Sequence, residues 1–251
     1  MAKKLVVLLT ALAAVLMLAC GAAFAEEKVY INGIDFGFPP FGFVDKAGSP
    51  SGFDVESVDW IAKKMGFKVK HQPMDWDGII PALNAGKIDF VASGMSATAE
   101  RAKIVNFTLP YYEVTQVLLV NPDNAAALDS ILKNGKKIGV QRGTVTNKLL
   151  EELVKKPGYK FELALYDSTD LSLEDLKIGR IEGSGMDSSI AKEMLKTKPF
   201  KIAGTFEAPP EKYGYAVRKA DAALLEMLNK GLEALMKDPY WAELKKKYNI
   251  N

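Results

Sequence analysis

The sequence predicts an α/β protein made of two similar halves. Short β-type runs alternate with amphipathic helical patterns along the chain, the alternation restarts in mid-chain, and one seven-residue segment recurs. Residues 28–34 read as a strand. Phe53–Met65 reads as a helix, with Val55, Val58, Ala62 and Met65 on one face and Gly66 as its stop. Residues 67–71 are a strand, Ile79–Asn84 a short helix, and 88–92 and 117–120 strands. The second round runs through strand Lys137–Gln141, helix 146–155, strand 161–166, and helices 171–177 and 188–196. The echo pairs Leu83-Asn84-Ala85-Gly86-Lys87-Ile88-Asp89 with Leu176-Lys177-Ile178-Gly179-Arg180-Ile181-Glu182, each copy leading to a Ser/Gly-rich turn that contains Gly-Met. The end is helical over 221–237, then over 240–248, with Asp238 as N-cap and Pro239 at the first helical position.

Residues 1–25 read as a secretory signal outside the fold. Lys3 and Lys4 supply a charged start, residues 5–19 an apolar core too short for a permanent span, and Ala23-Phe24-Ala25 a cleavage site before Glu26. A second cut is open, because Met17-Leu18-Ala19-Cys20 resembles a lipoprotein box with its leucine one place off, and Cys20 would then bear the lipid. Either cut exports the protein. Two of the 33 basic residues leave with the signal, so 31 remain to face 31 acidic ones. Near-neutrality gives no electrostatic bias toward nucleic acid or anionic membrane. The single cysteine lies in the signal, so no intramolecular disulfide forms. The roughly 226 remaining residues hold by packing, as one large domain or two small ones. No later apolar run reaches the roughly 18 residues of a membrane span.

The stretch Ser93-Gly94-Met95-Ser96-Ala97-Thr98-Ala99-Glu100-Arg101 carries the first candidate chemistry. Small residues leave a strand, a helix starts at Thr98, and a guanidinium follows within the first turn. Free amides at such a junction attract an anion, and arginine adds a planar fork matched to a carboxylate. A surface arginine after an ordinary N-cap is the plainer alternative.

Further segments occur in a telling order: Pro39-Pro40-Phe41, Gly52-Phe53-Asp54-Val55, Trp76-Asp77-Gly78-Ile79-Ile80-Pro81-Ala82-Leu83, the Ser93–Arg101 stretch, Phe107-Thr108-Leu109-Pro110-Tyr111-Tyr112, Gln141-Arg142-Gly143-Thr144 and Tyr213-Gly214-Tyr215-Ala216-Val217. Together, over nearly all of the mature chain, this set resembles the amino-acid-binding branch of bacterial periplasmic solute-binding proteins, the soluble receptors of ABC importers. The resemblance implies a two-lobed, periplasmic-binding-protein-like (type II) α/β fold with two crossing hinge strands, near 116–120 and 210–215. Lobe one would comprise 26–116 completed by 213–251, and lobe two 117–212. It implies a monomer in the periplasm that clamps a free amino acid and meets a membrane-embedded ABC permease transiently, with no cofactor, no metal and no nucleic acid.

The resemblance also assigns roles. Arg101 would fork the α-carboxylate, helped by the Ser96 amide and by the backbone and hydroxyl of Thr144. Asp187 would accept the α-ammonium, with the Gly94 carbonyl and Ser93 completing its shell. Phe38 and Trp76 would sandwich the side chain, the Trp76-Asp77-Gly78 turn suggesting an exposed rim. Asp35 lies where relatives selective for polar or cationic amino acids carry an acidic partner, and Gln141 and Met186 would line the distal pocket, with Gln116 a further candidate. Plainer roles stay open: Asp187 as cap of helix 188–196, Thr144 as a turn residue, Phe38 and Trp76 as core. Where relatives read Gly-Arg-Val-Asp-Ala, this chain has Gly179-Arg180-Ile181-Glu182-Gly183-Ser184-Gly185. Its glycines weaken a strand and let backbone approach a ligand.

Two other function classes remain. The fold also hosts cyclohexadienyl-dehydratase-type enzymes, so a carboxylate such as Asp35 or Glu182 could act as an acid. The inventory offers little more: the single His71 sits on a strand face with Lys68 and Lys70 that reads as solvated, and no Gly-x-Ser-x-Gly or phosphate-cradling loop occurs. A ligand sensor for a chemoreceptor is the other.

Overall fold

Two five-stranded sheets with the same internal plan carry the fold. The computed structural model describes residues 28–250, so the signal segment and Cys20 lie outside the described residues. The chain runs through β1 (Val29–Ile34), the short β2 (Gly37–Phe38), β3 (Gly42–Val44) and β4 (Pro50–Ser51), α1 (Phe53–Met65), β5 (Lys68–Pro73), α2 (Ile79–Asn84), β6 (Phe90–Val91), β7 (Val105–Phe107) and β8 (Tyr112–Val114). It continues with β9 (Gln116–Val120), α3 (Leu128–Ile131), β10 (Lys137–Gln141), α4 (Val145–Leu153), β11 (Glu162–Tyr166), α5 (Thr169–Lys177), β12 (Gly183–Asp187), α6 (Ser188–Met194) and β13 (Lys201–Thr205). It ends with β14 (Glu211–Tyr213), β15 (Ala216–Arg218), α7 (Ala222–Lys237) and α8 (Pro239–Tyr248).

The first sheet has the order β5-β1-β6-β15-β7 and the second β11-β10-β12-β9-β13. In each, three parallel strands are followed by two antiparallel neighbours. The recurring heptad sits at the same place in both: it leaves a helix, turns, and enters the third strand. Gly86 and Gly179 occupy the turn in the left-handed conformation, φ 71 and 74, which glycine adopts without a Cβ penalty.

α1 shows how local signals and packing agree. Asp54 and Glu56 lie in its first turn, Lys63 and Lys64 in its last, and Gly66 ends it at φ 76. Its apolar face meets α7 at Gly231, where a Cβ would stand 2.4 Å from Ile61 Cγ2. That glycine is what lets the two helices approach.

Several expectations are corrected. The two lobes are joined by β8 and β14, paired antiparallel from Tyr112–Tyr213 to Val114–Glu211. The predicted first crossing, 116–120, is instead strand β9, between β12 and β13 of the second sheet. No regular helix starts at Thr98; a single 3-10 turn, Arg101–Lys103, stands there, because the chain re-enters the first sheet at Val105. Strand 88–92 shortens to Phe90–Val91. The glycines of β12 do not break it. A Cβ at Gly183 would lie 2.9 Å from Leu118, and one at Gly185 2.9 Å from Thr146 Cγ2, so close packing against neighbouring side chains demands them. His71 does not lie on a solvated face: its ring is 7 % exposed, with Nδ1 bonded to Asn32 Nδ2 at 3.0 Å and Nε2 to Asp59 at 3.2 Å.

Candidate functional site

Parallel strands in open α/β sheets leave a crevice outside their carboxyl ends, where the chain direction of the connections reverses. Here two such crevices face each other. β1 ends into Asp35–Phe38, β5 into the turn at Trp76, and β6 into Ser93–Ser96; β10 ends into Gln141–Thr144, and β12 ends at Asp187. Between them lies a narrow cavity. Phe38, Trp76, Gly94, Ser96, Arg101, Gln141, Thr144, Met186 and Asp187 all line it. Sequence reasoning missed three other lining residues, Val145, Thr146 and Thr169, while Gly185 lines the cavity as one of the glycines expected to let backbone approach a ligand.

Arg101 is positioned by the loop behind it. Its Nη1 donates to the Ser96 carbonyl at 3.0 Å and its Nη2 to the Gly143 carbonyl of the other lobe at 3.1 Å. The guanidinium carbon stands 5.3 Å from the centroid of the Trp76 ring, within cation–π range. Burial pushes the guanidinium pKa down, while the charges of Asp187 and Glu211 oppose that shift. A buried cation in this state gains from any further anion placed beside it.

Asp187 presents the opposite charge from the second lobe. Although it occupies the N-cap position of α6, its side chain makes no capping bond, so the plainer role open to it is not the one it fills. Its carboxylate accepts from the Tyr213 hydroxyl instead. Burial raises its pKa, opposed by the Tyr213 hydrogen bond, the Gln116 amide and the charge of Arg101. The Tyr213 hydroxyl stays protonated, because burial lifts its pKa well above the usual phenol range. The two lobes thus aim one cation and one anion into the same cavity.

Phe38 and Trp76 stack on each other nearly in parallel, 13° between planes and 6.2 Å between centroids. Both rings are buried rather than on an exposed rim. Trp76 Nε1 donates to the Gly143 carbonyl at 3.2 Å, which ties this wall to the opposite lobe. At the loop start of α4, Thr144 caps the helix by accepting from the Asn147 amide at 3.1 Å, and its hydroxyl donates to the Gln141 carbonyl at 2.8 Å. With its hydroxyl hydrogen spent inside the loop, Thr144 has only its backbone amide to donate to an anion.

Asp35 and Ser93 stand just behind the lining. The Ser93 hydroxyl accepts from the Asp35 amide at 3.0 Å. The Asp35 carboxylate takes the Gly37 amide at 2.8 Å and Gln141 Nε2 at 3.0 Å, and burial raises its pKa. Gln141 also accepts from Thr169 at 3.1 Å. Glu182 lies away from this cavity, accepting from Asn124 at 2.7 Å on another face of the second lobe. It therefore cannot serve as an acid in the cleft.

The chain is similar to known amino-acid-binding proteins. The chain is 35% identical over 241 residues to the ABC transporter arginine-binding protein 1 of Escherichia coli, covering 94% of both chains. It is 32% identical over 259 residues to a probable histidine-binding protein of Neisseria gonorrhoeae, covering 98% of this chain and 95% of the relative. Among solved structures, an ancestral arginine-binding protein bound to arginine superposes with a TM-score of 0.81 at 39% identity, covering 88% of this chain and 98% of that one. These relatives are binding proteins rather than enzymes. The model of the bacterial extracellular solute-binding proteins, family 3, matches residues 30–251, and the chain belongs to that family of amino-acid-binding components of ABC importers.

Proposed function

We propose that this protein is an exported, monomeric periplasmic receptor that closes on one free L-amino acid with a polar or cationic side chain and delivers it to an ABC permease. Lobe one is formed by residues 26–116 and 213–251, lobe two by 117–212, and the signal is removed after Ala25. The carrying observation is that Arg101 and Asp187, one from each lobe, line one cavity. A zwitterion taken out of water needs both charges paired, since a buried unpaired charge costs several kcal/mol. Arg101, the Ser96 amide and the Thr144 amide take the α-carboxylate. Asp187 and the Gly94 carbonyl take the α-ammonium, with Ser93 holding Asp35 in place behind them.

The side chain then packs against Phe38 and Trp76, whose ring faces suit a guanidinium, imidazole or amide. Asp35 supplies negative potential at the distal end through Gln141, beside Met186, and repels a ligand carboxylate. The relatives named as arginine- and histidine-binding proteins support a cationic ligand. Size favours full enclosure. Micromolar binding of about ten heavy atoms needs roughly 0.8 kcal/mol per atom, below the ceiling of about 1.5 for tiny ligands but reachable only when nearly every atom is used.

A thermal-shift panel of the twenty amino acids tests this reading, because a ligand that binds only the folded state raises the melting temperature by mass action. The expected result is a rise with one or a few polar or cationic L-amino acids, absent in Arg101→Ala. A response to acidic amino acids alone overturns the specificity, and no response to any of the twenty overturns the function.

A further inference from the structure

We propose that Asp54 is a positioning residue for the ligand site: its carboxylate, buried in the first lobe, holds the Gly94 amide and thereby sets the loop that meets the ligand. The inference rests on the amino-acid-binding reading above but is carried by different observations. Asp54 is wholly buried at the start of α1. Its Oδ2 accepts from the Gly94 amide at 2.6 Å and from the Tyr111 hydroxyl at 2.8 Å. Its Oδ1 has no hydrogen-bond partner among the described residues. A carboxylate with one idle oxygen and no cation is an expensive object to bury. A helix start needs no such burial, since an exposed acid in the first turn would serve its dipole equally.

What this carboxylate holds is the floor of the cavity. Gly94 is left-handed at φ 59, and a Cβ there would stand 2.5 Å from Phe38 Cε1. The loop that follows is clamped on its other side by the hinge ribbon, where Ala97 donates to the Lys212 carbonyl at 2.8 Å and Gly214 donates to the Met95 carbonyl at 3.0 Å. Asp54 supplies the matching clamp from inside the lobe. When ionised it makes the charge-assisted bond and places a negative charge one hydrogen bond behind the carbonyls offered to the ligand's ammonium.

The titratable groups that face it are two phenols: Tyr111, on the stretch between β7 and β8, and Tyr215, before β15. Burial keeps both protonated. The Tyr215 hydroxyl has no hydrogen-bond partner among the described residues. With no cation to offset it, burial pushes the Asp54 carboxyl up to about 7, against the pull of the Tyr111 and Gly94 hydrogen bonds. Its ionisation therefore changes across the neutral range. Below it, the clamp on Gly94 becomes a neutral hydrogen bond and the supporting charge is lost.

Asp54→Asn keeps an acceptor for Gly94 at nearly the same volume and removes the charge. Two measurements on the intact protein test the role. In the ligand-free wild type, the Gly94 amide resonance titrates between pH 5 and 9 with a midpoint near 7, and it is flat in Asp54→Asn. By calorimetry, wild-type affinity for L-arginine weakens at least fivefold more from pH 8.5 to pH 5.5 than that of the variant, which binds at the weak level throughout. A Gly94 resonance that does not titrate, or a variant with wild-type affinity and wild-type pH slope, overturns the proposal. Failure of L-arginine to bind the wild type overturns the arginine reading instead, and the resonance measured without ligand still decides the role of Asp54.

Discussion

Arg101 and Asp54 illustrate two ways a buried charge is used. Arg101 spends two donors on carbonyls from different lobes and stacks on Trp76, so it ties the two lobes together at the cavity. Truncating one partner of a buried charge pair typically costs about 2–5 kcal/mol. Arg101→Ala is therefore expected to raise the Kd for L-arginine at least about 30-fold, measured by calorimetry. Arg101→Lys recovers only part of this, because an ammonium cannot reproduce the planar fork. Asp54 behaves oppositely in stability. Its folded pKa is raised, so the folded state holds this proton more tightly than the unfolded chain. The contribution is fully present below the unfolded value of 3.8 and is lost as pH rises to about 7. Asp54→Asn should thus melt higher than wild type at pH 8, by at least about 3 °C, and show a smaller or no gain at pH 4. A variant that is more stable yet binds less well marks stability given up for the site, and scanning calorimetry at the two pH values checks it.

At the scale of elements, α4 shows one residue that both caps a helix and lines the cavity. Thr144 accepts from Asn147 and donates to Gln141, so Thr144→Ala removes both bonds. An N-cap loss of about 1 kcal/mol lowers the melting temperature of a chain this size by roughly 2–4 °C, and the drop should appear with and without ligand in differential scanning fluorimetry. Elements such as α1, α2 and β10 were legible with their full bounds, because apolar residues bounded by glycine, as at Gly66 after α1 and Gly86 after α2, or a short strand carrying Ile138 and Val140, state themselves locally. Strands β2, β3 and β4 were not. Two or three residues containing Gly or Pro carry no period, and only pairing with one another, β2 to β3 and β3 to β4, makes them strands. The site divides in the same way. Arg101 and Asp187 stand at junctions where a sequence pattern ends, so they could be read. Thr146 and Thr169 reach the cavity only through the packing of the second lobe, and Asp54 reads in sequence as an ordinary acid in a first helical turn.

At the scale of the molecule, the two lobes meet through interactions of unequal depth. The Gly143 carbonyl receives Trp76 and Arg101, and Asp35 receives Gln141, all beside the cavity. At the rim, Arg142 pairs with Asp77 at 3.7 Å and Lys148 with Glu100, with all four side chains between 47% and 64% exposed. Exposed pairs contribute about 0–1 kcal/mol each and weaken with salt, whereas the buried contacts lie away from solvent beside Arg101 and Asp187. On the proposed function, the ligand rather than the rim is expected to provide most of the closing free energy, as a population shift toward the state it binds best. Replacing both rim cations together, Arg142→Ala with Lys148→Ala, is expected to raise the Kd for L-arginine less than about tenfold, and to reduce its dependence on ionic strength between about 0.05 and 0.5 M. Calorimetry across that range distinguishes the two sources of closure. A loss equal to that of Arg101→Ala would mean that the rim pairs hold the lobes together and that the zwitterion merely occupies a cleft closed without it.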